Sequence, residues 1–139
     1  MRPASEWGFI ATELAFGVAV LVLPVALLVL TFPRWSERQV TARVIAREVA
    51  RRSARDGVCE LSAARSLGST MARNLGVAPG DVGVELGCAD GAALVAGGDV
   101  EARVTVAMPA VQLPGVGAVG AWSWTARHRE PVDRYVSAR

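Results

Sequence analysis

The sequence contains no lysine, and all fifteen of its basic residues are arginine. Because alanine, glycine and valine are also abundant, we interpret the missing lysine as GC-rich codon bias rather than as a functional feature. The formal net charge is only +2, which is too small for the strongly basic surface of a nucleic-acid-binding protein. We therefore expect no nucleic-acid partner.

Histidine is nearly absent as well, since His128 is the single one. It forms an H-x-E-x-x-D motif with Glu130 and Asp133, and Ser123 precedes it by five residues. A metal site needs three or four ligands in fixed geometry with supporting hydrogen bonds, and the sequence offers no second cluster of ligands. We interpret the motif as a polar edge strand and tail. We expect no metal, no cofactor, no small-molecule substrate and no enzymatic activity.

What the sequence does have is one long apolar segment, "GFIATELAFGVAVLVLPVALLVLTFPRW", at residues 8–35. No residue from Leu14 to Leu30 is charged. As a helix, residues 9–32 would extend about 36 Å, which exceeds the ~30 Å hydrocarbon core of a bilayer. The segment therefore predicts a transmembrane helix at residues 9–33 and membrane lipid as a partner.

Two other structures are possible for such a segment. A buried core helix would need a large apolar surface around it, and the rest of this short chain supplies too little. A cleaved secretory signal would begin with a basic region, whereas "MRPASEW" balances Arg2 with Glu6. The segment is also longer than a signal core and lacks an A-x-A-like site after it. Both alternatives fit less well than a membrane helix.

Glu13 is the one charged residue between Phe9 and Phe32. A carboxylate at the centre of a bilayer costs about 2.5–3.5 kcal/mol on insertion scales, and less toward the ends. Glu13 is either an end-of-span residue that reaches the headgroups or a functional group with a partner. Its spacing favours the second interpretation, because Gly8 directly precedes the segment and Glu13 is the fifth residue after that glycine.

The Gly8–Glu13 spacing resembles the class III signal of type IV pilin-like proteins. The segment "ATELA" and the ending "HREPVDRYVSAR" resemble the TadE-like family, the minor pilin-like proteins of Tad (Flp) pilus systems. The resemblance implies cleavage by a prepilin peptidase between Gly8 and Phe9. It also implies that the new amino group of Phe9 pairs with Glu13 of a neighbouring subunit and fixes the axial register between them. It implies no catalytic residue.

The resemblance further implies three parts: a leader at residues 1–8, the transmembrane helix at 9–33, and an extracytoplasmic α+β domain at 34–139. The protein would cross the cell membrane once, or enter an extracellular pilus, with other pilin or pseudopilin subunits as partners. The positive-inside rule opposes this orientation and would keep the C-terminal part in the cytoplasm. It rests on six arginines that follow the span closely, Arg34, Arg38, Arg43, Arg47, Arg51 and Arg52.

After the apolar segment the periodicity predicts two helices. Residues 36–56 form the first, with Ser36 as its N-cap, unless the membrane helix continues across Pro33. Residues 60–75 form the second and end at Gly76. The predicted apolar stripe of the first helix is Val40, Val44, Ile45 and Val49, with Ala42, Ala46, Ala50 and Ala54 beside them. That of the second is Leu61, Ala64, Leu67, Met71 and Leu75.

Beyond Pro79-Gly80 the apolar residues alternate with a period of two, which predicts strands at 82–88, 100–108 and 121–128. Residues 109–120 are predicted to be a Pro/Gly connection. Trp122 and Trp124 would share one face of the third strand, most simply as packing residues. The fold predicted is α+β: a long N-terminal membrane-spanning helix that continues into an amphipathic helix, and a second helix packed on a small three-stranded antiparallel sheet, as in pilins.

Cys59 lies just before the second helix and Cys88 ends the first strand. If the helix covers the sheet, a disulfide would tie the two elements together. Its loop of about thirty residues would be worth ~3.6 kcal/mol in the chain-entropy model. The alternative is a pair of unpaired, buried thiols. We expect the disulfide, because an extracytoplasmic position permits oxidation.

From these observations the sequence predicts a minor pilin-like structural or assembly subunit of a Tad-type pilus or secretion fibre. The alternative is a single-pass, membrane-anchored binding module that recruits a partner without assembling into a fibre. The Gly8–Glu13 spacing separates the two, because it would be accidental in a simple anchor.

Overall fold

The computed structural model describes residues 6–88, 94, 96–113 and 117–133. The start of the expected leader, most of the turn region after Cys88 and the last six residues of the tail lie outside these ranges. The fold is α+β, as expected: two helices are followed by the strands of an antiparallel sheet. The elements are α1 (Glu6–Asp56), α2 (Leu61–Asn74), a short 3₁₀ turn (Pro79–Asp81), β1 (Val82–Cys88), β2 (Asp99–Met108), β3 (Val111–Leu113), β4 (Gly117–Val119) and β5 (Trp122–Pro131).

Helix α1 runs without interruption from Glu6 to Asp56 and contains both Pro24 and Pro33. The predicted continuation of the membrane-spanning helix into the amphipathic helix is therefore confirmed, and Ser36 is not an N-cap. A proline removes one backbone hydrogen bond and crowds one carbonyl, and here the helix continues on both sides of each. Gly57, with φ of 67°, follows its last residue and allows the left-handed turn that ends it.

By its internal contacts the chain divides into two units, residues 1–33 and residues 34–139. The first unit is the apolar part of α1. The second holds the rest of α1, α2 and all five strands.

The sheet of the second unit has three antiparallel strands in the order β1-β2-β5. Strand β1 begins and ends as the alternation predicts, and β5 continues three residues beyond the expected end, to Pro131. In the register, Val84 lies opposite Val104, which lies opposite Ala126. This row of small and branched side chains crosses the face that the helices cover.

The connection between β2 and β5 differs from the prediction. It contains a small two-stranded sheet in which β3 pairs with β4, with Val111 opposite Val119. Each strand has only three residues, which is too short for an alternating pattern to be visible in the sequence.

The core of the second unit lies between the sheet and both helices. The buried face of α1 consists of Ala42, Ile45, Ala46, Val49 and Ala50. Val40 and Val44 were expected in this stripe, but they are 52% and 43% exposed. Alanines occupy the sheet-facing positions in their place, because small side chains let the helix lie close to the valines of β2.

In α2 the buried positions are likewise small, namely Ala64, Gly68 and Ala72. Of the expected stripe, Leu67 and Met71 pack at the edge of the core, whereas Leu61 and Leu75 are 37% and 48% exposed. The prediction found the correct helix and its buried Ala64, but it missed Gly68 and Ala72 and overestimated the burial of Leu61 and Leu75.

Trp122 and Trp124 share a face of β5, as predicted, but they have different surroundings. Trp124 packs against the core, and the guanidinium of Arg43 lies 5.1 Å from its ring centroid. Trp122 is 42% exposed and meets Trp35 edge to face, with ring centroids 6.0 Å apart. The indole N–H of Trp35 also donates to the carbonyl of Pro109, at 3.1 Å.

A disulfide joins Cys59 to Cys88, with Cα atoms 6.4 Å apart. This separation lies within the usual range for a disulfide. The bond connects the segment before α2 to the end of β1, as the sequence predicts.

Candidate functional site

The most unusual surface of the protein is the apolar part of α1. Its large side chains have no partners within the described chain: Leu14, Phe16, Leu21 and Leu30 are each 69–73% exposed. This helix is the one described segment long and apolar enough to cross a membrane, and none of its most apolar window is buried. A buried core helix is thereby excluded for the described structure, and the helix is compatible with a single-pass membrane anchor.

Glu13 lies on this apolar surface, and its side chain is exposed. Gly17 follows it by one helical turn, and no atom lies within 4 Å of the position that a Cβ would occupy there. Together with the apolar side chains around them, these two residues line a shallow notch on the helix. The notch is lined by Glu13, Leu14, Gly17, Val18, Leu21 and Val22. A neighbouring helix can approach closely at the glycine, within reach of the carboxylate.

The structure places the expected processing residues, Gly8 and Phe9, in the first turn of α1. The first four N–H groups of a helix have no intrahelical acceptor, so this turn is held by fewer backbone hydrogen bonds than the middle of α1. Phe9 and Glu13 are four residues apart and therefore lie on the same side of the helix, one turn from each other. The second pair of predicted site residues, Cys59 and Cys88, belongs to the other unit.

A polar surface that the sequence analysis did not predict runs between α1 and β5. Arg43, Arg47 and Arg51 recur every four residues on α1, and together with residues 124–128 and Glu130 of β5 they line a groove of about 700 Å³. We refer to it as the arginine groove. The spacing of the arginines was visible in the sequence, but the strand beside them was not, because it lies more than seventy residues further along the chain.

The H-x-E-x-x-D motif lies at the end of β5 and in the residues that follow it. His128 Nε2 lies 3.0 Å from Glu130 Oε2, so these two side chains contact each other. Ser123 is an odd number of residues from His128 and therefore lies on the opposite face of β5. Across the part of the chain that the structure describes, no group of three or more potential metal ligands occurs.

A carboxylate paired with two arginines lies on the outward face of the sheet. Glu101 accepts hydrogen bonds from Arg103 at 2.7 Å and from Arg129 at 3.0 Å. These hydrogen bonds, first that of Arg103 and then that of Arg129, lower the pKa of Glu101 from 4.5 to about 2. The carboxylate thus stays charged at every ordinary pH and ties β2 to β5.

No family model, no curated protein and no solved structure matches this chain.

Proposed function

We propose that this protein is a minor pilin-like subunit, structural or assembly-related, of a Tad-type pilus or secretion fibre. The observation that carries the proposal is an exposed apolar helix with one carboxylate, Glu13, set beside a glycine notch. The spacing from Gly8 to Glu13 and the resemblance of "ATELA" and the tail to TadE-like proteins support it further. In this account the prepilin peptidase cuts between Gly8 and Phe9, and the helix then leaves the bilayer for a helical bundle of subunits.

The role of Glu13 follows from the low polarity of such a bundle. An unpaired carboxylate there is costly, and so is the free amino group of Phe9. When the two pair across neighbouring subunits, each offsets the desolvation of the other. Only one axial stagger brings them together, so the pair would select the register of the assembly. Gly17, one turn from Glu13, leaves room for the neighbouring helix.

The disulfide supports an extracytoplasmic position for residues 34–139. Stable disulfides form in oxidising compartments and are rare in the cytoplasm. The arginines that follow the span favour the opposite orientation. We give the disulfide more weight, because it joins two elements of the folded domain, whereas the arginine bias is only a tendency.

Replacement of Glu13 by glutamine tests the proposal. The variant should insert into the membrane at least as well as the native protein, because the charge is gone. Recovery of other pilus subunits with it should fall at least about tenfold, since the amino group of the neighbour is left unpaired. The matched control is Glu37→Gln, which removes the same charge from an exposed position in the second unit. Equal recovery with both variants would reduce Glu13 to an end-of-span residue.

The arginine groove supports a second candidate function, that of a membrane-anchored module that recruits a partner. A simple anchor needs neither cleavage after Gly8 nor a carboxylate at position 13. In that case Glu13→Gln would behave as Glu37→Gln does, and the groove variants described below would alone affect partner binding.

A further inference from the structure

Strand β5 forms one edge of the three-stranded sheet. It is ten residues long, and among the described residues no strand pairs with the side that faces away from β2. Such an edge presents a row of free backbone N–H and C=O groups that can accept another strand. Natural proteins usually shorten, bulge or cover a long edge. Here Pro131 limits one end of it.

The arginine groove follows this edge. Five consecutive residues of β5, from Trp124 to His128, line it. Consecutive residues of a strand point to opposite faces, so a groove lined by all five includes residues of both faces and reaches the edge of the strand. The unpaired edge of β5 and the arginines of α1 therefore border the same groove.

The charge of the groove is strongly positive. Arg43, Arg47 and Arg51 line it from α1, and Arg127 lines it from β5. Glu130 is the one acidic residue in its lining, and it already contacts His128. Neither Arg47 nor Arg51 forms an ion pair with any residue that the structure describes. Their charges are therefore available to an incoming anion.

We propose that the arginine groove binds an acidic, extended segment of a partner protein, which adds to β5 as a fourth strand. Backbone hydrogen bonds to the edge would supply affinity, and every second side chain of the added strand would point toward the arginine row. Acidic side chains at those positions match the charge of the groove. A second copy of this chain does not, because antiparallel pairing of two β5 edges would bring two arginine rows together. The inference stands apart from the proposed function, since it uses no residue of the apolar helix.

An anionic lipid surface is the other source of negative charge, and the two partners differ in what they do to the backbone. A headgroup contacts arginine side chains, whereas an added strand also occupies the amides of β5. Hydrogen exchange at these amides therefore distinguishes the two. Strand β1, the opposite edge of the same sheet, serves as an internal reference.

The experiment uses the full chain in detergent micelles and a synthetic peptide of about eight residues, the length of a typical strand, with alternating threonine and glutamate. A peptide with glutamine in place of glutamate is the matched probe. Binding of the acidic peptide should slow the fast-exchanging amides of β5 and leave those of β1 unchanged. The double variant Arg47→Gln/Arg51→Gln should weaken binding at least about tenfold. The control Arg52→Gln/Arg55→Gln removes the same charge from the same helix outside the groove and should bind within about twofold of the native protein.

Three results would overturn the proposal. Binding of the acidic peptide without protection of β5 would reduce the groove to a diffuse positive patch. Equal weakening by the two double variants would show that net charge alone is responsible. Binding to phosphatidylglycerol vesicles that is lost in Arg47→Gln/Arg51→Gln, with no binding of the acidic peptide, would assign the surface to the membrane.

Discussion

Gly68 of α2 leaves little room for a side chain, and replacing it with alanine tests how α2 packs on the sheet. A Cβ at this position would lie 2.6 Å from Cγ2 of Val84 and 3.6 Å from Cγ2 of Ile45. Val84 is buried on β1 and has a branched, stiff side chain. The methyl group therefore cannot move aside without displacing its neighbours.

Two opposing effects decide the sign of the change. Alanine is favoured over glycine inside a helix by about 1 kcal/mol. Forcing an extra methyl group into a packed core costs about 1–3 kcal/mol. The cost of overpacking exceeds the gain in helix propensity. We therefore expect Gly68→Ala to lower the free energy of unfolding by about 1 kcal/mol. In a domain of this size that corresponds to a decrease in Tm of about 4–8 °C.

A double-mutant cycle makes the test specific to this contact. Val84→Ala alone should cost about 2 kcal/mol, because it removes two buried methyl groups. Combined with Gly68→Ala it should cost less than the sum, with a coupling energy of about 1–2 kcal/mol, because the new methyl group fills the space that is vacated.

The matched control is Val100→Ala, a fully buried valine of β2 that belongs to a separate core cluster. Its effect should add to that of Gly68→Ala within about 0.5 kcal/mol. Thermal unfolding of the full chain in detergent, followed by circular dichroism, measures all of these variants. Stabilisation by Gly68→Ala, or additivity with Val84→Ala, would refute the packing described.

Two further predictions concern the disulfide and the carboxylate of β2. Replacing Cys59 and Cys88 together by serine opens a loop with a sequence separation of 29 residues. The unfolding free energy should fall by up to about 3.6 kcal/mol. A loss no larger than that of a surface substitution would contradict this. Arg103 and Arg129 lower the pKa of Glu101 from 4.5 to about 2. The stabilisation that Glu101 contributes is therefore complete above pH 4.5, and it is progressively lost as the pH falls toward 2. Arg103→Gln should raise that pKa in a carboxyl NMR titration, and an unchanged midpoint would show that Arg103 is not its main cause.

Much of the fold was predictable where a segment carries a long periodic signal. Strand β1 has the predicted ends, since its alternation is bounded by Pro79-Gly80 and Cys88. The end of α1 at Asp56 was predicted because Gly57 follows it. The continuity of α1 through Pro33 depends on the fold as a whole, because the local effect of a proline opposes the helical tendency of the residues on both sides.

What the sequence could not provide was the choice of buried face and the contacts between distant segments. A hydrophobicity pattern predicts that Val40 and Val44 are buried. In the structure the alanines beside them pack against the sheet instead, because close packing depends on the shape of the side chains. Arg43 contacts the ring of Trp124. The two residues are far apart in the chain, so no local sequence pattern predicts this contact. Of the candidate sites, the disulfide was predictable from the order of elements, whereas the arginine groove required the fold.

The central claim is that the apolar helix is a processed assembly helix rather than a plain anchor, and the mature N-terminus tests it most directly. Intact mass and N-terminal sequencing of the protein from the membrane fraction of its native cells should give a chain that begins at Phe9. A Gly8→Val variant should remain uncut and begin at the original N-terminus. A native chain that retains residues 1–8, or one that begins beyond residue 30, would contradict the account.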